Sequence, residues 1–244
     1  LDVHANQARK MNLFVEESGN LQELAQLTSE LQPVEVLHIS AHGSLDPSNR
    51  QQPQPYLYLE SETGDVTQVT ADTLDTTLSG LQPRLLFLSS CETSASVSLQ
   101  GEQGSVQPSY AQTVIQRGFP ALLGWGGSVS DKEATRFAGE LYRILAMGNP
   151  LETATAHARF HLLNLPEGLQ EGEYPRDWHL ARLYLGAKGG GILAEGKQQR
   201  FNRSHTAGEK EFLDKKGKQV PVAGRRTFVG RRRHIQTLLR EAKT

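Results

Sequence analysis

The chain has 244 residues and a hydrophobic fraction of 37%, enough for one large domain or two small ones with a real core, with part of the chain outside it. One cysteine excludes a disulfide framework and a cysteine-based zinc cage and favours a reducing cytoplasm, while the absence of a long apolar run or basic-then-apolar leader excludes a membrane span and a secretory signal. The net charge of −1 conceals an asymmetry: residues 197–244 carry 14 Lys or Arg against 4 Asp or Glu, and residues 1–196 carry 12 against 23, an acidic body with a basic extension.

In chain order, "NLQELAQLTSELQP" sets Leu21, Leu24, Leu27 and Leu31 on one helical stripe, with Asn20 as N-cap and Pro33 beyond the end. "VEVLHISA" predicts a buried strand bounded by Pro33 and Gly43, and "YLYLESETGDVTQVT" a hairpin turning at Gly64. A short helix near "TADTLDTTL" precedes "RLLFLSS", a second buried strand that ends just before Cys91. Residues 95–108 read as a polar loop, "SYAQTVIQRG" as an amphipathic helix stopped at Gly118, and "PALLGW" as a third buried strand. At "SDKE" the pattern predicts a capping box, Ser130 capping the helix and Glu133 reaching back to the Ser130 backbone N–H. That helix runs to Gly148, a second follows in "LETATAHARFHLLN", and "ARLYL" reads as the last strand. Strands alternating with helices predict an α/β fold, its sheet at least partly parallel and covered on both faces. Residues 187–224 read as a linker, flexible or loosely docked, and the start at Leu1 rather than Met reads as a fragment.

Two histidines stand four apart in "VEVLHISAHGS". A shared metal fails on geometry: in a strand His38 and His42 lie roughly 13 Å apart at about 3.3 Å per residue, and Ile39 stands where a zinc-protease motif needs glutamate. His38, in mid-strand, reads as a buried, hydrogen-bonded histidine. His42 lies at the carboxyl end of its strand and Cys91 at the carboxyl end of "LLFLSS". Ligands and catalytic groups of an open α/β sheet sit at that edge. If the two strands are parallel neighbours, the imidazole meets the thiol and brings it to thiolate. Against this stands the ordinary reading of a lone cysteine as a small buried hydrophobe.

Other candidates are weaker. His157 and His161 share a helix face without a third ligand, His179 and Trp178 read as core or rim, and "GILAEGKQ" misses the Ser or Thr of a phosphate loop at Gln198.

The order strand-His-Gly, hairpin, strand-Cys-Glu-Thr, helix, strand-Trp, then Asp at a capped helix resembles the CHAT family of caspase-like cysteine peptidases. The resemblance is carried by "LHISAHG", "LLFLSSCETS", "YAQTVIQRGFPALLGWGGSVSD", "RFAGELYRIL", "ETATAHAR" and "DWHLARLYLG". It implies a caspase-like sandwich over residues 1–186, its mostly parallel central sheet covered by helices on both faces and its first strand missing or only partly represented by residues 1–20. The 49 residues between His42 and Cys91 agree with the spacing of about 50 known for caspases. Carried over, the resemblance makes His42 the catalytic histidine and Cys91 the nucleophile of an endopeptidase acting on a protein substrate. It places the N–H groups of Gly43 and Cys91 in the oxyanion hole and Ser89, Trp125 and Asp131 at the substrate, Trp125 as a wall of the cleft. Asp131 has a second reading, as the first residue of its helix, favoured there by the dipole.

Ser89 replaces the acid with which relatives select basic residues, so strict basic specificity is not expected. The chemistry needs no metal or cofactor. "RRTFVGRRRHIQTLLREA" resembles the opening of STAND-type NTPase modules, which makes residues 225–244 the start of a truncated module. In that reading ATP belongs to the missing part, the partners are regulatory domains of the parent chain, and the context is bacterial signalling or defence. The other reading of this tail is a basic, solvated terminus that sticks weakly to nucleic acid. The alternative to a peptidase is a catalytically inactive domain of the same fold used for docking and regulation.

Overall fold

Successive residues of the apolar runs point to opposite sides of one sheet, and each side meets its own helices. The computed structural model describes residues 11–45, 54–90, 97–98, 106–107, 109–164, 177–193, 211–213 and 219–221. Strands β1 (Val36–Ser40), β5 (Leu85–Ser89), β8 (Ala121–Trp125) and β9 (Ala181–Leu185) form a sheet in the order β1-β5-β8-β9. The first three run parallel and β9 pairs antiparallel to β8. Leu86, Leu88 and Leu122 face helices α1 (Leu21–Glu30), α2 (Ala71–Thr77) and α3 (Tyr110–Gln116). Leu85, Phe87 and Leu123 face α4 (Asp131–Ala146) and α5 (Leu151–Leu163). Burial on both faces is why β5 and β8 read as nearly unbroken apolar runs.

A second, antiparallel sheet of β2 (His42–Leu45), β3 (Pro55–Glu60) and β4 (Val66–Thr70) follows β1 almost without a break. The β3–β4 hairpin turns at Gly64, whose φ of 82° suits glycine. Strand β2 was not legible in "HGSL", a run too short and polar to show an alternating pattern. Within the expected loop 95–108, β6 (Val97–Ser98) pairs antiparallel with β7 (Val106–Gln107).

The helix ends show the expected chemistry with one exchange. Asn20 caps α1, its Oδ1 accepting from the N–H groups of Gln22 at 2.8 Å and Glu23 at 3.2 Å. Ser130 caps α4 by accepting from Glu133 N–H at 3.2 Å, but the Glu133 carboxylate accepts from the Ser130 hydroxyl at 3.0 Å, not from the backbone N–H. That N–H instead points to Asp177 Oδ2 at 3.4 Å. The full reciprocal box is at α3, between Ser109 and Gln112.

The expected linker is docked at its start. Gly189 passes so close to Pro120 that an added Cβ would lie 1.8 Å from the carbonyl oxygen, Gly191 N–H donates to the Glu152 carboxylate at 3.0 Å, and Leu193 is 3% exposed. Further on, β10 (Glu211–Leu213) and β11 (Gln219–Pro221) form an antiparallel pair in a second unit. Its register runs from Glu211↔Pro221 to Leu213↔Gln219, where the polar composition of the segment had suggested only a linker. Residues 225–244 lie outside the described residues. Residues 11–20 contain neither helix nor strand.

Candidate active site

Of the sequence candidates, Ser89, His42 and Gly43 lie at the carboxyl edge of the parallel strands β1 and β5. Strands β1 and β5 pair in one register from Val36↔Leu85 to Ser40↔Ser89. The ladder runs one step further, Ala41 N–H donating to the Ser89 carbonyl at 3.4 Å. His42 follows at once, exposed, as the first residue of β2. Gly43 pairs with Leu57 and is half-buried. Ser89 ends β5 half-buried, and Ser90 after it is buried. Cys91 and the residues to 96 lie outside the described residues, so of the dyad and oxyanion hole the structure describes His42 and Gly43.

Two tyrosines flank His42 that sequence reasoning did not single out. His42 pairs across the ladder with Tyr58 and Ser44 with Tyr56. The two phenol oxygens lie 2.9 Å apart and the rings meet edge to face, with centroids 5.0 Å apart. The signal was present in "YLYL": tyrosines two apart share a strand face.

His38 departs from expectation in one respect. It is hydrogen-bonded, its Nδ1 lying 2.8 Å from the Tyr142 hydroxyl, and its ring stacks on Phe87 at 4.2 Å. Yet the residue is exposed rather than buried. Among the described residues β1 is the edge of its sheet, so the α4 layer covers one side of the ring and leaves the other open. The covered side suffices to withhold water: burial lowers the His38 pKa to about 4 and pushes the Tyr142 phenol far up. The contact joins a phenol to a neutral imidazole, and either group can donate in it.

Trp125 does not wall a cleft. Its side chain is 0% exposed and packs edge to face on Phe137, with ring centroids 5.1 Å apart. The alternation along β8 sends it to the α4 side with Ala121 and Leu123, into the core. Asp131 is the exposed first residue of α4. Close by, the Glu133 carboxyl is raised by burial and by the neighbouring Asp177 carboxyl. Trp178 and His179 stack edge to face at the rim. His157 and His161 are exposed on α5, and no cluster of three or more potential metal ligands occurs among the described residues. The described part of "GILAEGKQ" forms a single bridge, Ile192 to Pro150, and no helix. No helix among the described residues is long and apolar enough to cross a membrane.

A mostly parallel sheet between two helical layers, with a histidine at its carboxyl edge, defines an α/β sandwich compatible with the caspase-like fold. The CHAT domain matches residues 3–186, and the chain belongs to the CHAT domain family. A search among curated proteins found no match.

Proposed function

We propose that this chain is a cysteine endopeptidase in which His42 activates Cys91. The observation that carries the reading is the β1–β5 register. It offsets partners by 49 residues along its whole length, the same number that separates His42 from Cys91. The last partners of that ladder, Ser40 and Ser89, each stand two residues before a candidate, His42 and Cys91, which supports the two acting together.

His42 takes the thiol proton, and the thiolate attacks the substrate carbonyl carbon. The developing oxyanion is held by the Gly43 and Cys91 N–H groups. The C–N bond breaks as the imidazolium returns its proton to the leaving amine, and water then hydrolyses the thioester to regenerate the thiol. The mechanism uses no metal or cofactor. The resemblance of "RRTFVGRRRHIQTLLREA" to the opening of STAND-type NTPase modules supports a parent protein in which a nucleotide-driven module regulates this head, with ATP belonging to that module.

The test is identification of new protein N-termini after expression of wild type and Cys91→Ala in the same host. The reading predicts a set of cleavages present only with wild type. Identical sets from the two proteins refute it and leave a docking or regulatory domain.

A further inference from the structure

We propose that residues 186–193 are a latch that opens as a unit of its own, and that its one buried side chain, Leu193, couples that opening to strand β5. The latch lies at the amino edge of the sheet, where β9 ends beside the start of β8, and does not depend on the peptidase reading.

Beyond β9 the chain turns back along that edge. The Gly186 N–H donates to the Pro120 carbonyl at 2.8 Å, and the Gly189 N–H closes a turn on the Gly186 carbonyl at 3.0 Å. A Cβ at Gly186 would lie 2.6 Å from the Phe119 carbonyl oxygen, and one at Gly189 would overlap that of Pro120. Gly190 and Gly191 then take φ values of 89° and 75°, which suit glycine. There the Gly191 N–H donates to the Glu152 carboxylate at 3.0 Å, and the Gly191 carbonyl accepts from the Leu151 N–H at 2.8 Å. Four glycines in eight residues serve one path, which an unattached connector would not require.

What holds this path is mostly backbone. Ala187, Lys188 and Ile192 are exposed, and so is the Glu152 that accepts from Gly191. Leu193 alone is buried, at 3% exposure. Segments held by exposed backbone bonds and few apolar contacts open at lower free energy than the core. The glycines add to this, because they regain the most backbone freedom on release.

Leu193 connects that opening to the sheet. It belongs to the buried cluster that holds Leu85 and Phe87 of β5 and Leu151 of α5. Its carbonyl accepts from Arg84 Nη1 at 3.4 Å, one residue before β5 begins. Strand β5 in turn lies between β1 and β8. Withdrawing Leu193 leaves a void in a close-packed cluster, and the residues that lined it lose their contacts. The chain runs on from Leu193 into a second unit that includes Gln198 onward, so a displacement there is transmitted along the chain to this plug.

Residue-resolved amide exchange of the full chain tests both halves. In wild type the amides of Gly186, Gly189, Gly191 and Leu151 should share one opening, with one denaturant dependence. That opening should be at least about tenfold more populated than the one that exposes Leu86 and Leu122. Glu152→Ala should accelerate exchange at all four by one common factor, about threefold or more, and Glu152→Gln, whose amide oxygen still accepts, should restore part of the protection. Leu193→Ala should accelerate Leu86 and Leu88 more than Leu57 of β3, which packs in the other cluster. Leu193→Val carries the same comparison if the alanine variant does not fold. Four unrelated openings, or one shared with Leu86 and Leu122, overturn the latch, as does an unchanged rate at the four amides in Glu152→Ala. Equal acceleration at Leu86, Leu88 and Leu57 shows a loss of overall stability alone and overturns the coupling to β5.

Discussion

The Tyr142 hydroxyl lies 2.8 Å from His38 Nδ1, tying helix α4 to strand β1 through a ring that also stacks on Phe87. Burial of that ring disfavours its protonated form. The pKa of the folded state, about 4, lies below the ordinary value of 6.5. Between these values the unfolded chain binds the proton and the folded chain does not, so stability rises with pH across that window. The contribution is complete above pH 6.5 and is lost as pH falls toward 4. Thermal midpoints should therefore fall more steeply for wild type than for His38→Gln as pH drops across this range; parallel curves for the two proteins would show that burial does not govern the ring's protonation.

Trp125 separates a packing role from a substrate role. Its fully buried ring predicts that Trp125→Ala costs about 3–5 kcal/mol, read from urea unfolding. Trp125→Phe keeps most of the volume and removes an indole N–H with no hydrogen-bond partner in the described structure, so its cost should be smaller, below about 2 kcal/mol. A Trp125→Ala protein as stable as wild type would contradict the core assignment.

Two helix caps of similar chemistry should differ in worth. Ser130 is exposed and holds only its own helix end, so Ser130→Ala should cost about 1 kcal/mol. Asn20 is 7% exposed, caps α1 and also donates from Nδ2 to the Glu60 carbonyl at 3.0 Å, tying the helix to β3. Asn20→Ala leaves that buried carbonyl and two amides without their partner and should cost roughly twice as much. Equal losses for the two variants in chemical denaturation would show that the Glu60 contact contributes nothing.

Much of this architecture was legible because its central strands β5 and β8 are buried on both faces. "VLHIS", "LLFLS" and "ALLGW" could be read as strands from composition alone, and the carboxyl-edge rule then singled out His42. Strand β2 escaped because four residues of mixed polarity carry no periodicity; it became a strand through pairing with β3, a long-range contact. Trp125, set at the cleft wall by the family resemblance alone, is buried because the α4 layer packs on its side of β8, a tertiary contact that the strand's own sequence does not show. His38 was placed in mid-strand correctly, but its exposure depends on β1 lying at the sheet's described edge, which strand order sets and local sequence does not.

The central claim is that His42 and Cys91 act as one unit, and the rate of Cys91 alkylation measures it most directly. Full-length wild type and His42→Ala are exposed to dilute iodoacetamide at neutral pH, and the adduct is followed by intact mass, which is unambiguous because the chain has one cysteine. The account predicts that wild type reacts at least about tenfold faster than a free thiol and that His42→Ala loses this advantage. Equal rates for the two proteins, at or below that of a free thiol, would contradict it.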